Sequence, residues 1–340
     1  MTATSTTTSR VSTLALVSLV LGLASLVLLL ITGIPAVILG LYSLRWINYS
    51  DGRLRGRGLA IAGMALGGLG IAAAVVLLGA SILADVREKA HAAECTENLH
   101  RLGFGLKLYD EDFKSFPPGT VPNDALPPER RLSWIALILP YMEPDAPPDD
   151  KATARRVNRE KQVYKQIDFH RAWDDDANRA AVETRLRLCL CPSWSGPAAH
   201  SSALTSYVGI AGLGREAALI PDFHPPLLVP KDPNAGMFGY DRATRRGDIT
   251  AGLQHTMMIV ETTRDNGPWA QGGPATVRGI DPDDNPPVGY GRAFGGLHPG
   301  IVHVLYTDGR VESINDKVTP EQWIERASIS REVKAPRDGP

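Results

Sequence analysis

Two long apolar stretches near the N-terminus limit the folds open to this chain. Residues 13–44 and 58–84 contain no charged side chain, and each exceeds the roughly 20 residues that cross a bilayer as a helix. In the first stretch, Gly33 and Pro35 are predicted to interrupt the helix, which leaves residues 36–44 too short to cross again. We therefore predict two transmembrane helices, with residues 36–44 as an interfacial or re-entrant extension.

Small residues in the second stretch indicate how the two spans pack. Gly63 and Gly67 have the four-residue spacing that lets two membrane helices approach closely. A hairpin of the two spans is predicted from this spacing. The alternative is that these glycines only reflect the usual glycine content of membrane helices.

The loop between the stretches predicts the orientation, because it is basic: it contains Arg45, Arg53, Arg55 and Arg57 against Asp51. Short arginine-rich loops stay in the cytoplasm. We therefore expect both termini, and everything after residue 84, outside the cytoplasm. Neither stretch has the pattern of a cleaved signal peptide, so a multi-pass cell-membrane protein with an extracytoplasmic C-terminal domain is predicted.

The remaining 256 residues are enough for one sizeable domain. They carry 31 basic and 36 acidic side chains, and this mild acidity argues against nucleic acid as a partner. We predict a membrane anchor over residues 1–84, an exterior domain over 85–330 and a flexible tail over 331–340.

The exterior part shows both helical and strand patterns, so its predicted class is α+β. Apolar residues such as Leu99, Leu102 and Leu106 recur at helical spacing between residues 86 and 109. This helix is expected to pack against an antiparallel β-sheet. Strands are predicted at residues 256–260, at 301–306 as a central strand, and at 310–314 with one solvated face.

Two local signals mark the end of this domain. Asp308-Gly309 lies between the last two predicted strands and is typical of a hairpin turn. Thr319, Pro320 and Gln322 predict the start of a short helix with a capping box.

The chain has three cysteines, Cys95, Cys189 and Cys191. In an oxidising exterior compartment we expect one disulfide and one remaining thiol. The favoured pair is Cys95 with Cys191, because it would join the first helix to the middle of the domain. A Cys-x-Cys metal site with a histidine is the alternative, but a second ligand pair at recognisable spacing is missing.

Five motifs in order carry a resemblance to a known family. They are Cys95 with Asn98, Pro118-Gly119, Trp173-Asp174 with Asn178 and Cys191-Pro192, Asp248 with Glu261, and His298-Pro299-Gly300 with Asp308-Gly309. Over nearly all of residues 85–330 the chain resembles the planctomycete family named domain of unknown function 1559, sometimes labelled solute-binding-like. The resemblance implies a pseudopilin-like α+β domain, a location in the cell envelope and no established reaction.

The membrane part resembles a different family, the two-span domain of unknown function 4190. The matching residues are Gly33, Pro35, Gly40, Arg57 and Gly63. The Gly-Phe-Thr-Leu-Ile-Glu opening that precedes the helix in relatives of the exterior domain is absent, so we do not expect processing by a prepilin peptidase.

Several polar groups could carry chemistry, and each has a structural alternative. His298, His303 and Asp308 could form a metal or proton-transfer site, or instead support a loop, a sheet and a turn. Glu261 could be a buried catalytic carboxylate, or a salt-bridge partner. Two acidic groups could bind calcium through carboxylate oxygens. The alternative for the first group is a helix N-cap, and for the second a solvated turn. The first group consists of Asp174, Asp175 and Asp176, and the second of Asp281, Asp283, Asp284 and Asn285.

Three functions are compatible with these patterns. The favoured hypothesis is a non-enzymatic, membrane-anchored envelope module that binds the lipid bilayer and contacts other envelope proteins or surface polymers, with no catalytic residue, cofactor or metal. A solute- or polymer-binding receptor would need Trp173, Trp194 and Trp269 around one pocket. An envelope hydrolase would need His298, Asp308 and Glu261, or the acidic group after Trp173, within hydrogen-bond reach.

Overall fold

The computed structural model describes residues 10–28, 30–50, 53–142, 159–194, 203–225 and 231–332. It divides into two compact units, Met1–Arg87 and Glu88–Pro340, here called the N-terminal and the C-terminal unit. Most of the predicted tail, residues 333–340, lies outside the described residues.

The N-terminal unit consists of apolar helices and two very short strands. In chain order these are β1 (Arg10–Val11), α1 (Thr13–Leu28), α2 (Leu30–Tyr49), β2 (Leu54–Arg55) and the first part of α3 (Arg57–Phe113). Helices α2 and α3 are long and apolar enough to cross a membrane.

The predicted interruption at Gly33 and Pro35 is wrong. Helix α1 ends at Leu28 and α2 begins at Leu30, with Pro35 inside α2. An interior proline removes one backbone hydrogen bond and can bend a helix without ending it, and Pro35 is in the second turn of α2. Residues 36–44 are therefore the middle of α2 and not a separate extension.

Helices α1 and α2 form an antiparallel hairpin. The hydroxyl of Ser18 donates to the carbonyl of Ala36 at 2.9 Å, and the hydroxyls of Ser12 and Ser43 are 3.3 Å apart. Strand β1 pairs in parallel with β2, so that Arg10 lies opposite Leu54. The N-terminal segment therefore lies beside the arginine loop, whereas the sequence had placed it on the opposite side of the membrane.

Glycine contacts confirm the close helix packing predicted from Gly63 and Gly67. A Cβ atom on Gly63 would lie 2.5 Å from the Ser18 carbonyl oxygen of α1, and one on Gly67 would lie 2.8 Å from the Gly33 carbonyl oxygen of α2. These separations are below any normal Cβ contact, so only glycine permits the observed approach of α3 to both helices.

In the C-terminal unit, the described residues form the rest of α3, short helices and one five-stranded sheet. Its further elements are α4 (Trp134–Ile138), α5 (Arg179–Val182), β3 (Tyr207–Leu213), β4 (Met257–Glu261), β5 (Val277–Ile280), β6 (Ile301–Tyr306), β7 (Val311–Asn315) and α6 (Pro320–Ile324). Single 3₁₀ turns occur at Pro128–Arg130, Leu139–Tyr141, Arg187–Cys189, Ala217–Leu219, Arg246–Asp248 and Gly273–Ala275.

The sheet is mixed, with strand order β5-β3-β4-β6-β7. Strands β3 and β5 pair in parallel and the other neighbours are antiparallel, so the α+β class is confirmed but the fully antiparallel sheet is wrong. The connection from β4 to β5, residues 262–276, is long enough to carry the chain across β3 to the far edge. No local sequence signal marks such a crossover.

Both faces of the sheet are buried. On one face Tyr207, Ile259 and Leu305 belong to the same core cluster as Leu99 and the other apolar residues of α3. A Cβ on Gly103 would lie 3.0 Å from both methyl groups of Leu305, so α3 packs tightly on β6. On the other face Val260 and Val304 pack in a second cluster that includes Phe294 and Trp323.

Several local predictions are confirmed. Helix α3 ends at Phe113, four residues after the end of the predicted helical pattern and five residues before Pro118-Gly119. Strands β6 and β7 form the predicted hairpin, with Gly309 at a φ of 91°, and β6 is central in the sheet. Thr319 and Gln322 form the predicted capping box of α6.

Candidate functional site

Four side chains with metal-binding or acid–base chemistry meet inside the C-terminal unit. Cys95 is on α3, Cys191 follows the 3₁₀ turn at Arg187–Cys189, Glu261 is the last residue of β4, and His298 precedes β6. Their ligand atoms all lie within 4.8 Å of one another, and all four residues are buried. We call this group the Cys₂-Glu-His cluster.

The Nε2 atom of His298 lies close to the ligand atoms of the three other members. It is 3.1 Å from Sγ of Cys95, 3.5 Å from Sγ of Cys191 and 3.9 Å from Oε1 of Glu261. The other ring nitrogen, Nδ1, is 2.5 Å from Oε1 of Glu88, a residue of α3. The carboxylate of Glu88 therefore fixes the orientation of the imidazole ring and leaves Nε2 directed at the three other groups.

Further hydrogen bonds hold Glu261 and Glu88 in place. Oε2 of Glu261 accepts from the backbone N–H of His303 at 2.8 Å and lies 2.9 Å from Nδ1 of the same residue. Its Oε1 is buried and accepts no hydrogen bond from the described residues. Ser193 donates to Oε2 of Glu88 at 3.1 Å and contacts Nδ1 of His91 at 3.0 Å.

The close contacts shift the acid–base equilibria of the cluster. A hydrogen bond from Cys95, helped by one from His298, lowers the pKa of Cys191 to about 6 against the opposing effect of burial. The same bond to Cys191, together with burial, raises the pKa of Cys95. Burial lowers the pKa of His298, but its bonds to Cys191 and Glu88 outweigh this and raise it to about 9.

Protein-family models match both parts of the chain. The model of a family described as Protein of unknown function (DUF1559) matches residues 84–281, more than half of the 340 residues. The chain belongs to the DUF1559 family. A second model, Domain of unknown function (DUF4190), matches residues 14–77. Searches of curated proteins and of solved structures gave no match.

The structure of this DUF1559 protein brings the predicted cysteine pair together. Cys95 and Cys191 contact the same nitrogen of His298, yet both are free thiols, as is Cys189. Cys189 belongs to the apolar core, and burial raises the pKa of its thiol. The disulfide between Cys95 and Cys191 stays a prediction.

The predicted histidine and aspartate site is only partly assembled in the C-terminal unit. The rings of His298 and His303 are 5.2 Å apart, and both face Glu261. Asp308 instead lies in the β6–β7 turn, where its Oδ1 accepts from the backbone N–H of Arg310 at 3.0 Å. The structure therefore supports the turn-forming role of Asp308 and a polar contact for the two histidines.

The two acidic groups make ion pairs and turns. Asp174 lies 2.9 Å from Arg130, and Asp176 pairs with Arg179. Asp281 lies 2.5 Å from Arg215 and accepts from the backbone N–H of Asp283, as in a solvated turn. Asn178, and not one of the three aspartates, is at the N-cap position of α5.

Most remaining family-motif positions support loops of the domain. Asn178 is buried and bonds to backbone groups of Asp168 and Ala172. Gly119 donates to the Gly239 carbonyl, and Gly300, after Pro299, has a φ of 75°. Near the cluster, Asn98 lies 3.4 Å from the hydroxyl of Tyr207, and the half-buried Pro192 follows Cys191.

The tryptophans proposed for a receptor pocket have separate roles. Trp269 is fully buried and donates to the Thr184 carbonyl, whereas Trp173 donates to the Glu129 carbonyl. Two depressions among the described residues, of about 350 and 120 Å³, are lined by other side chains than Trp173, Trp194 and Trp269.

All four residues of the cluster were candidates from the sequence, but their proximity was not predicted. Glu88 and His91 were not singled out from the sequence. A signal was available, since Glu88, His91 and Cys95 are spaced three and four residues apart on α3 and so share one helix face.

Proposed function

We propose that this DUF1559 protein is a membrane-anchored component of the cell envelope. Its N-terminal unit binds the lipid bilayer, and its C-terminal unit is presented outside the cytoplasm. There it acts as a non-catalytic interaction module for other envelope proteins or surface polymers.

The apolar surface of the N-terminal helices is the observation that carries this proposal. Large apolar side chains of α1, α2 and α3 remain exposed: Val20, Leu23, Ile31, Leu41, Leu69, Val76 and Leu83 are among them. Exposed apolar patches of this extent are unfavourable in water and are typical of a surface covered by lipid or protein. A bilayer accounts for them, since α2 and α3 are long and apolar enough to span it.

Aromatic and basic residues support the position of one membrane surface. Tyr42, Trp46 and Tyr49 are exposed near the end of α2, where aromatic side chains favour the boundary between lipid and water. Arg10 joins the arginine loop through the β1–β2 pairing. The clustering of these arginines supports a cytoplasmic location for the arginine loop and the N-terminal segment. Helix α3 would then leave the membrane on the opposite side.

Burial of the Cys₂-Glu-His cluster supports an interaction role over catalysis. Side chains of His298 and Glu261 are 1% and 2% exposed, so a substrate would have to open the core to reach them. The packing of α3 on a sheet also supports the pseudopilin-like character that the family resemblance implies. Long connections around this core would provide the contact surface.

Protease shaving of cells from which the outer barrier has been removed tests the proposal. Protease added outside should degrade the C-terminal unit while a membrane-embedded N-terminal fragment survives. The protein should also stay in the membrane pellet after alkaline carbonate washing. A C-terminal unit that is cut only after lysis, or release by carbonate, would contradict the proposal; a cytoplasmic marker protein controls for leakage.

A further inference from the structure

We propose that the Cys₂-Glu-His cluster is a structural zinc site, with Cys95, Cys191, Glu261 and His298 as the four ligands of one Zn²⁺ ion. This proposal concerns the C-terminal unit alone and does not depend on its side of the membrane. It replaces the sequence-based expectation of a domain without metal.

The ligand types fit this ion. Zinc takes thiolate sulfur, imidazole nitrogen and carboxylate oxygen, and its structural sites have four protein ligands in a tetrahedron. Among first-row metals, a tetrahedral set with two thiolates favours zinc. The cluster supplies two sulfurs, one nitrogen and one oxygen, all on buried side chains.

The distances fit as well. Zinc binds sulfur at about 2.3 Å and nitrogen or oxygen at about 2.0 Å, so ligand atoms on a tetrahedron lie roughly 3.3–3.8 Å apart. From Nε2 of His298 the three other ligand atoms lie at 3.1, 3.5 and 3.9 Å. The remaining separations among the four atoms are at most 4.8 Å, so the four atoms lie near the spacing that a tetrahedral zinc ion requires.

Hydrogen bonding alone does not satisfy these groups. A single ring nitrogen offers one hydrogen or one lone pair, yet two sulfurs and one carboxylate oxygen surround Nε2 of His298. Oε1 of Glu261 is buried and lacks a hydrogen bond among the described residues. A buried carboxylate oxygen without a partner is costly, and a cation at the centre would give each of the four groups a partner.

The surrounding contacts are those of a metal site. Histidine ligands usually donate their second ring N–H to a carboxylate, and Glu88 accepts at Nδ1 of His298. The second oxygen of Glu261 is held by His303, which leaves Oε1 directed inward. A Cβ on Gly296 would lie 2.7 Å from Oε2 of Glu261, so glycine is required where this chain passes the carboxylate.

The site would act as a cross-link, because its ligands are distant in sequence. Cys95 and His298 are separated by 203 residues, and the ligands come from a helix, a loop, a strand end and a second loop. Four protein ligands leave no open coordination position, which is typical of structural rather than catalytic zinc. Metal binding also requires thiolates, so zinc and a Cys95–Cys191 disulfide exclude each other.

Metal analysis of the full chain, purified from membranes in detergent without chelator, tests the proposal. We expect one zinc per chain and three thiols that react after unfolding with chelator. Cobalt exchanged into the site should give a thiolate-to-cobalt charge-transfer band. Absence of zinc and cobalt binding would overturn the proposal. A single reactive thiol in that case would show the Cys95–Cys191 disulfide instead.

Variants assign the ligands. Cys191→Ala and Glu261→Gln should each lower the zinc content at least tenfold, whereas Cys189→Ala, two residues away in the apolar core, should keep it. If the ligand variants fail to fold, the cobalt spectrum of the unaltered chain still decides. A cobalt spectrum without thiolate bands, or full zinc content in the Cys191→Ala variant, would contradict the assignment.

Discussion

At the scale of single residues, Arg242 shows how a charged side chain is accommodated in the core. It is fully buried, and its guanidinium donates to the backbone carbonyls of Ile220, Gly236 and Phe238 at 2.7–3.0 Å. Burial lowers its pKa to about 10, against the opposing effect of nearby aspartates. The guanidinium therefore links three backbone carbonyls of the segment between β3 and β4.

Replacing this residue by lysine should destabilise the C-terminal unit. The ammonium group is compact and cannot reach three carbonyls at once, so Arg242→Lys should lower the free energy of unfolding by about 1–3 kcal/mol for each buried carbonyl left unpaired. Thermal unfolding followed through buried tryptophan fluorescence, from Trp134, Trp269 and Trp323, measures this. Arg185→Lys, at an exposed position, is the matched control, and equal stability of both variants would disprove the role.

The cysteines show what single-residue reasoning from sequence can reach. Cys95 was paired with Cys191 because a disulfide there would join the helix to the middle of the domain, and the two do contact the same histidine. The sequence did not place Glu261 and His298 beside these cysteines. They are brought there by the pairing of β4 with β6, and strand pairing leaves no local sequence pattern. The disulfide was inferred from the compartment, whereas the zinc proposal comes from four ligands that only the fold assembles.

At the scale of elements, α3 illustrates how helix packing positions the cluster. A Cβ on Gly103 would lie 3.0 Å from both methyl groups of Leu305 on β6, which is tighter than an ordinary contact. Cys95 and Glu88 lie on the same helix, so the distance between α3 and the sheet sets the distance between Cys95 and His298. The helical periodicity predicted this element, but the site of closest contact depends on which strand lies beneath it.

A bulky side chain at Gly103 should therefore push α3 off the sheet. Gly103→Leu should lower the free energy of unfolding by about 1–3 kcal/mol, as expected for overpacking. It should also reduce the zinc content by displacing Cys95. Lys107→Leu places the same side chain at an exposed position of the same helix and should leave both measurements unchanged; an equal loss in both variants would refute the packing argument.

The element boundaries show where sequence patterns are ambiguous. The apolar stretch 13–44 has the length of one long span, and Gly33 and Pro35 were the natural place for a break. The chain instead turns after Leu28 and keeps Pro35 inside α2, because an interior proline can bend a helix without ending it. The position of β5 beside β3 likewise follows from a crossover and not from its own residues.

At the scale of the whole molecule, the two units have different chemical characters. The N-terminal unit exposes apolar side chains, whereas the C-terminal unit has a core on both faces of its sheet. That an apolar N-terminal part precedes an α+β part was readable from composition and motifs. The side on which the N-terminal segment lies was not, since it depends on the β1–β2 pairing.

Membrane topology is the central claim, and a pair of fusions measures it most directly. A reporter enzyme that is active only outside the cytoplasm, fused after Pro340, should be active. A fluorescent reporter that matures only in the cytoplasm, fused before Met1, should fluoresce, because Arg10 lies with the arginine loop. An inactive enzyme after Pro340, with a C-terminal tail that is labelled only from the cytoplasm, would contradict the account.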